Sequence, residues 1–342
     1  MQKNWMKLGV SLLTLIMIIG VLAGCSTNSG NAGNVPLNDN GNSAVEKQEP
    51  AGQESAGDMQ SIEAFPAVFI DGSGEEITIE EQPETIVSLL ASNTEIAYAL
   101  GLGEKIIGVS DFCNYPTAVE EKEKLGGQDM NVERILELQP DMALVSQFHY
   151  NSHADILETF RMAGIDVVVA GDAKSFEDAY ETIRMFGQAT GTLDKAEVIV
   201  ANMKERLAEV VQRTKDVSEP KRIWVEVSPA PDIFTTGQNT FLHEMIETIN
   251  AVNVAGDQTG WVKMTEEEIV TLMPDVIVTT YGYYVDNPAD GVYAREGWAN
   301  IPAVLNEQIY DVDSDKVTRP GPRLIDGVEE LARVIYPEQF TP

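Results

Sequence analysis

Two segments of this chain carry the same pattern, and any fold it adopts has to house both. Glu133–Val145 reads Glu-Arg-Ile-Leu-Glu-Leu-Gln-Pro-Asp-Met-Ala-Leu-Val, and Glu267–Thr279 reads Glu-Glu-Ile-Val-Thr-Leu-Met-Pro-Asp-Val-Ile-Val-Thr. Glu, Ile, Leu, Pro and Asp recur in register ahead of an apolar run. A second echo sets Asn93-Thr94, opening a helix after an Ile86–Leu89 strand, beside Asn239-Thr240 after an Ile223–Val227 strand. A period this long, seen twice, predicts two similar lobes rather than a solenoid.

Between the copies lies Leu193–Val217, which contains neither Gly nor Pro. Its apolar residues Ala196, Ile199, Val200, Met203, Leu207, Val210 and Val211 fall at helical spacing, with Lys204, Glu205, Arg206, Glu209 and Gln212 on the other side. About 25 residues rising roughly 1.5 Å each make a rod of about 37 Å, long enough to cross a small domain.

Short apolar strands alternate with helices on both sides of this rod. In the first lobe a hairpin, Ala67–Ile70 with Glu76–Ile79, turns at Asp71–Gly74 and is followed by the strands Thr85–Leu89, Ile106–Val109, Met142–Val145 and Val167–Ala170. Its helices are Asn93–Leu100, Val132–Leu138, Ala154–Ala163 and Phe176–Thr190. The second lobe repeats the order with strands Ile223–Val227, Val276–Thr280 and Ile309–Val312 and helices Thr240–Ile249, Glu266–Leu272 and Leu324–Ile335. The expected class is α/β: two lobes with mostly parallel sheets, joined by a single long rigid α-helix.

The N-terminus states an address. Lys3 and Lys7 precede the apolar run Leu8–Val21, which ends in Leu22-Ala23-Gly24-Cys25. A basic start, a short apolar core and small residues before the cut describe an export signal; the run is too short to span a membrane comfortably. Leu-Ala-Gly-Cys resembles the bacterial lipoprotein signal, which implies acylation of Cys25 and a lipid anchor outside the cell. Residues 26 to about 63 are rich in Gly, Asn, Ser, Ala and Gln and read as a flexible tether. The expected organisation is therefore 1–24 signal peptide, 25–63 tether, 64–191 N-terminal lobe, 192–217 linking helix and 218–342 C-terminal lobe.

Formal net charge is −32, and more negative once Lys3 and Lys7 leave with the signal. So acidic a surface argues against nucleic acid and against anionic lipid headgroups. With Cys25 spent on lipid, Cys113 stands alone and no intramolecular disulfide is expected.

Ligands of open α/β sheets collect at the carboxyl ends of the strands. The loops there are Ser110–Pro116, Ser146–His153, Ser228–Gly237, Tyr281–Asn287 and Asp313–Pro322. They hold Phe112, Tyr115, Phe148, Tyr150, Phe234, Tyr281, Tyr283, Tyr284 and Arg319, and Trp261 stands just before the Glu267 helix. Rings with few charges suit a bulky, partly apolar ligand. Enzyme signatures are scarce: Gly101-Leu-Gly103 follows a helix and lacks a third glycine, and no Gly-x-Ser-x-Gly occurs. His149 and His153 are spaced as metal ligands on a helix are, but no third His or Cys stands nearby, so no metal is expected; His149 reads as an idle surface histidine or as a polar cleft contact.

Ser88–Ala97, Gly108–Pro116, Asp129–Arg134, Phe234–Gly237 and Arg319–Arg323 are similar to segments of the cobalamin-binding members of a known family. That family is the extracytoplasmic substrate-binding proteins of ABC importers, in the helical-backbone class serving iron-siderophores, haem and cobalamin. The resemblance implies cleft roles for Phe112, Phe234, Trp261 and Arg319. Gly127 and Ser146 stand where cleft tryptophans are expected, and Thr318 where a carboxylate is. It also implies that Glu133 and Glu267, each at the second position of its helix, dock on arginines of the permease. Asn131 and Thr265 read as N-caps, and Thr265 with Glu268 as a capping box, so stabilisation of the helix dipole is a second role for both glutamates.

The expected protein is a monomeric, membrane-tethered receptor with no catalysis and no cofactor. It delivers a corrinoid, or alternatively an iron-siderophore or haem, to an ABC permease dimer with its ATPase subunits. Its ligand residues are Phe112, Tyr115, Phe148, His149, Phe234, Trp261, Tyr281, Tyr283 and Arg319. A metal-dependent cell-surface hydrolase resting on His149 and His153, and a partner of a sensor ectodomain, are the competing classes.

Overall fold

The computed structural model describes residues 64–341; the signal, Cys25 and the tether lie outside them. Five parallel strands form the first sheet, in the order Glu123–Lys124, Ile106–Val109, Ile86–Ser88, Met142–Ser146 and Asp166–Ala170. Successive side chains in such a sheet point to opposite faces, and here both faces are covered. Met142, Leu144 and Val168 enter one apolar cluster, and Ala143, Val145, Val167 and Val169 enter another.

The second sheet has four parallel strands in the order Val252–Asn253, Arg222–Glu226, Val276–Thr279 and Ile309–Asp311. It divides in the same way. Ile223, Val225, Val276 and Val278 join the cluster that holds Met142, while Trp224, Ile277 and Ile309 pack with Trp298 in a separate core. One face of each sheet thus contributes to a single continuous core, which a two-lobed chain needs if its halves are to hold a fixed geometry.

The helix Leu193–Thr214 runs between the last strand of the first sheet and the first of the second. Ala196, Val200, Met203 and Val210 bury into the shared core. Val211 is largely exposed, because Val210 and Thr214 already occupy the inward positions of that turn. Its polar side is tied to both neighbours: Lys204 pairs with Glu177 at 3.0 Å, and Arg206 pairs with Asp326 at 2.7 Å and Glu329 at 2.8 Å.

The hairpin Ala67–Ile70 with Glu76–Ile79 closes the edge of the first sheet. Asp71 Oδ2 accepts the Val169 N–H at 2.9 Å, and the Gly72 N–H donates to the Val169 carbonyl at 2.8 Å. A Cβ on Gly72 would lie 2.1 Å from the Gly171 nitrogen, so this close approach of two backbones needs glycine.

The internal repeat has a structural reason. Helices Val132–Leu138 and Glu266–Leu272 each end on a left-handed residue, Gln139 and Met273, both at φ 47°. After the Pro, the Asp reaches the start of a strand in its own lobe: Asp141 Oδ2 accepts the Glu84 and Thr85 N–H groups just ahead of Ile86–Ser88, and Asp275 Oδ2 accepts that of Arg222, which opens Arg222–Glu226. The second echo is not equivalent. Thr240 is the N-cap of Phe241–Thr248, accepting the His243 N–H, whereas the helix Ala91–Ala99 starts before Asn93 and Thr94 and buries both. There Asn93 Nδ2 donates to the Val145 carbonyl and Thr94 Oγ1 to Ser88 Oγ, tying helix to sheet.

Candidate ligand cleft

A cavity of about 540 Å³ opens at the carboxyl edges of both sheets. Parallel strands followed by returning helices leave strand ends and helix starts together at one edge. Its walls accordingly include Leu90, Ser146, Ala170 and Lys174 from the first lobe and Thr236, Phe241, Trp261 and Thr318 from the second. Asp172 and Lys174 are the only charged side chains in this lining. A site of this size, apolar with scattered hydroxyls and amides, suits a bulky ligand of low net charge.

Trp261 lines the cavity and is 55% exposed, so one face of the indole is available. It belongs to the strand Trp261–Lys263, antiparallel to Phe234–Thr236, with Trp261 opposite Thr236 and Lys263 opposite Phe234. Directly opposed residues share a face of a ribbon, which puts Phe234, Thr236 and Trp261 on one side. In the first lobe Phe112 is 60% exposed, and its ring lies where a Gly127 Cβ would be, with Cε2 3.0 Å from that position. The bare glycine, in place of a larger residue, is what seats the phenyl ring. Phe148 is exposed, its edge against the His149 and His153 rings at 5.8 and 5.7 Å between centroids. Tyr283 is 79% exposed and rests on Tyr284 at 4.7 Å.

Four expected contacts are engaged within the protein instead. Tyr281 is only 1% exposed and donates to Glu226 Oε1 at 2.7 Å. Glu226, itself fully buried, also takes both Arg295 terminal nitrogens, at 2.5 and 2.8 Å, and the Trp224 indole N–H at 3.3 Å. Burial first, and the Glu226 charge second, push the Tyr281 hydroxyl well above the ordinary phenol range. His149 is 2% exposed and serves the helix Gln147–Ser152, its Nδ1 lying 3.0 Å from Ser146 Oγ and 3.2 Å from Ser146 N. Burial, and His153 beside it, hold that imidazole below its usual pKa. No third His, Cys, Asp or Glu joins the pair in a metal-binding cluster among the described residues.

Arg319 and Tyr115 belong to a clamp between the lobes. Arg319 donates to Glu95 Oε1 at 2.9 Å and Asn114 Oδ1 at 2.6 Å, and pairs with Asp315 at 2.8 Å. Arg323 takes both oxygens of the same Glu95, at 2.7 and 2.8 Å, and stacks 4.0 Å over the Tyr115 ring. Arg319 thus bonds across the lobes rather than into the cavity. The one acid on the buried helix Ala91–Ala99 is the sequence signal for this, readable only with its partners in view.

Glu133 and Glu267 stand exposed at the second position of equivalent helices, and neither makes an ion pair among the described residues. Their caps are in place: Asn131 accepts the Arg134 N–H at 3.1 Å, and Thr265 and Glu268 close a capping box. The segments 170–174 and 239–242, which line the cavity, were missed because they carry no concentration of rings. No helix of the described residues is long and apolar enough to cross a membrane.

A family model described as periplasmic binding protein matches residues 86–316. The ABC transporter substrate-binding lipoprotein YvrC of Bacillus subtilis, itself of uncharacterised function, is 47% identical over 293 residues, which cover 85% of this chain and 92% of that protein. A cobalamin-binding protein of Halobacterium salinarum is 29% identical over 282 residues, 80% of this chain and 75% of that one. Among solved structures, a possible iron-binding (periplasmic solute-binding) protein of Staphylococcus epidermidis superposes with a TM-score of 0.68 at 33% identity, over 75% of this chain and all of that one. The chain belongs to the periplasmic binding protein family, as a substrate-binding protein of the ABC-transporter kind and not an enzyme.

Proposed function

We propose that this protein is held at the extracytoplasmic face of the membrane by lipid on Cys25 and captures a corrinoid in its cleft. It hands the ligand to an ABC permease dimer with its ATPase subunits, docking through Glu133 and Glu267. The observation that carries the corrinoid reading is the cleft lining: rings, hydroxyls and amides, with one acid and one base. A corrinoid is a large disc edged with neutral amides, which asks for stacking and hydrogen bonds more than for charge. The one arginine suited to an anionic ferric chelate is already paired with Glu95. The cobalamin-binding relative points the same way. The similarity to a possible iron-binding protein favours a ferric siderophore as the second reading.

Phe112, Phe148, Phe234, Trp261 and Tyr283 are the proposed contacts. Losing a central aromatic anchor costs on the order of 2 kcal/mol or more, about thirtyfold in affinity. Trp261→Ala should therefore weaken corrinoid binding by at least that factor in calorimetric titration. Titration of the wild-type protein with cyanocobalamin, cobinamide and a panel of ferric siderophores tests the ligand itself. Binding of a siderophore but of neither corrinoid would move the assignment to the second reading.

Cys25→Ala should leave folding unchanged and release the protein into the soluble fraction. Fractionation after a salt wash checks this, and a variant still sedimenting with membranes would refute the anchor.

A further inference from the structure

We propose that one end of the cleft is a subsite for a single anionic group of the phosphate class, formed by Lys174, Thr236 and the start of the helix Phe241–Thr248. Where the ligand is a corrinoid, which rests on the function proposed above, that group is the phosphodiester of its nucleotide arm. The helix start lines the cavity through Thr240, Phe241 and Leu242. Thr240 caps the His243 N–H, but the N–H groups of Phe241 and Leu242 reach no protein acceptor among the described residues. Free N–H groups at a helix start, aligned with the helix dipole, favour an anion.

Thr236 is an independent sign of a ligand. It lines the same cavity and is wholly buried, yet its Oγ1 has no hydrogen-bond partner. A buried hydroxyl left without a partner is unfavourable, and an acceptor seated in the cavity removes that cost where the lining shifts enough to uncover Oγ1. Lys174 lines the cavity from the first lobe and makes no ion pair among the described residues. Two residues on, the Phe176 N–H donates to Glu244 Oε2 of the helix Phe241–Thr248 at 2.7 Å, which joins the Lys174 loop to that helix. Three acids oppose an anion here, and one of them, Asp178, is engaged by the Lys174 and Ser175 N–H groups at 2.8 and 3.0 Å. Glu244 is occupied by the Phe176 N–H and Asp172 is exposed on the Lys174 loop, so the subsite takes one anionic group and not a cluster of them.

Two variants test this in the full-length protein, Lys174→Met and Thr236→Val. Inorganic phosphate, titrated at constant ionic strength and followed by phosphorus NMR, should bind the wild type saturably and each variant about tenfold more weakly. Thr236→Val should at the same time unfold at the wild-type denaturant concentration or higher, since it deletes an unpartnered polar atom; a hydroxyl with a structural role would lower it. Cobalamin carries the phosphodiester and cobinamide, with the same ring, does not. Both variants should weaken cobalamin about tenfold and leave cobinamide within about twofold. Equal losses for the two corrinoids, or phosphate binding unchanged in both variants, would overturn the subsite. Saturable phosphate binding that both variants lose, with neither corrinoid bound, would uphold the subsite and refute the corrinoid.

Discussion

Cells carrying the doubly reversed protein, Glu133→Arg with Glu267→Arg, will lose ligand uptake almost completely while the purified variant keeps its ligand affinity. The two carboxylates start equivalent helices in the two halves of the repeat. Each helix returns antiparallel to its strands, so its start lies at the carboxyl edge of the sheet, the edge on which the cleft opens. In the docking proposed above, a permease receiving ligand from that cleft faces both glutamates, one per lobe. Neither residue lines the cavity, and neither is neutralised by a partner within the protein among the described residues. Reversal removes two favourable dipole terms and adds two unfavourable ones, roughly 1–3 kcal/mol in total. A domain of ordinary stability tolerates that, and the capping bonds of Asn131, Thr265 and Glu268 remain. At a permease surface bearing arginines, like charges brought together cost several kcal/mol per site. Uptake at the wild-type rate would reduce both glutamates to helix-dipole partners. Loss of ligand affinity along with uptake would place them in the cleft.

What the sequence made legible was whatever repeats or has a period. The strands and helices that shape both sheets carry apolar runs or helical spacing, and the paired glutamates stood out because Pro140 and Pro274 recur in register with them. The six-residue helix Gln147–Ser152 and the three-residue strands Phe234–Thr236 and Trp261–Lys263 are too short to show a period. Yet that small ribbon is what brings Trp261 to the cleft, with Phe234 on the same face of the ribbon. The expected contacts that are engaged within the protein share a different cause. Arg319 and Tyr281 sit in strand-end loops, as expected, but their polar groups are satisfied by Glu95 and Glu226, one of them 224 residues away. Local pattern gives the loop a residue occupies; only the folded chain shows which distant acid claims its hydrogen bonds.

The clamp at Glu95 gives the second large effect, on stability and on the spacing of the lobes. The Glu95 side chain is 2% exposed, and those of Arg319 and Arg323 are 17% and 14% exposed, so solvent screens these charges poorly. Removing one member of a buried ionic group strands the others, at a cost of about 3–5 kcal/mol. Glu95→Ala should lower the free energy of unfolding by about that much in denaturant titration, against under about 1 kcal/mol for an exposed pair. Replacing Glu95, Arg319 and Arg323 together with apolar residues of similar size should recover most of the loss, because no charge is then left buried alone. In the intact protein the clamp and the helix Leu193–Thr214, free of Gly and Pro, are two of the ties between the lobes, beside the Phe176–Glu244 bond. Closure on ligand binding should then amount to a few degrees only. Scattering profiles of the wild type with and without ligand should nearly superimpose. In Glu95→Ala, with the clamp reduced to the bonds that Asn114 makes with Asp315 and Arg319, the ligand-free profile should broaden and contract again on binding. A large ligand-induced fall in the radius of gyration of the wild type would show that neither tie holds. A loss under about 1 kcal/mol in Glu95→Ala would show that the three charges act as an ordinary surface pair.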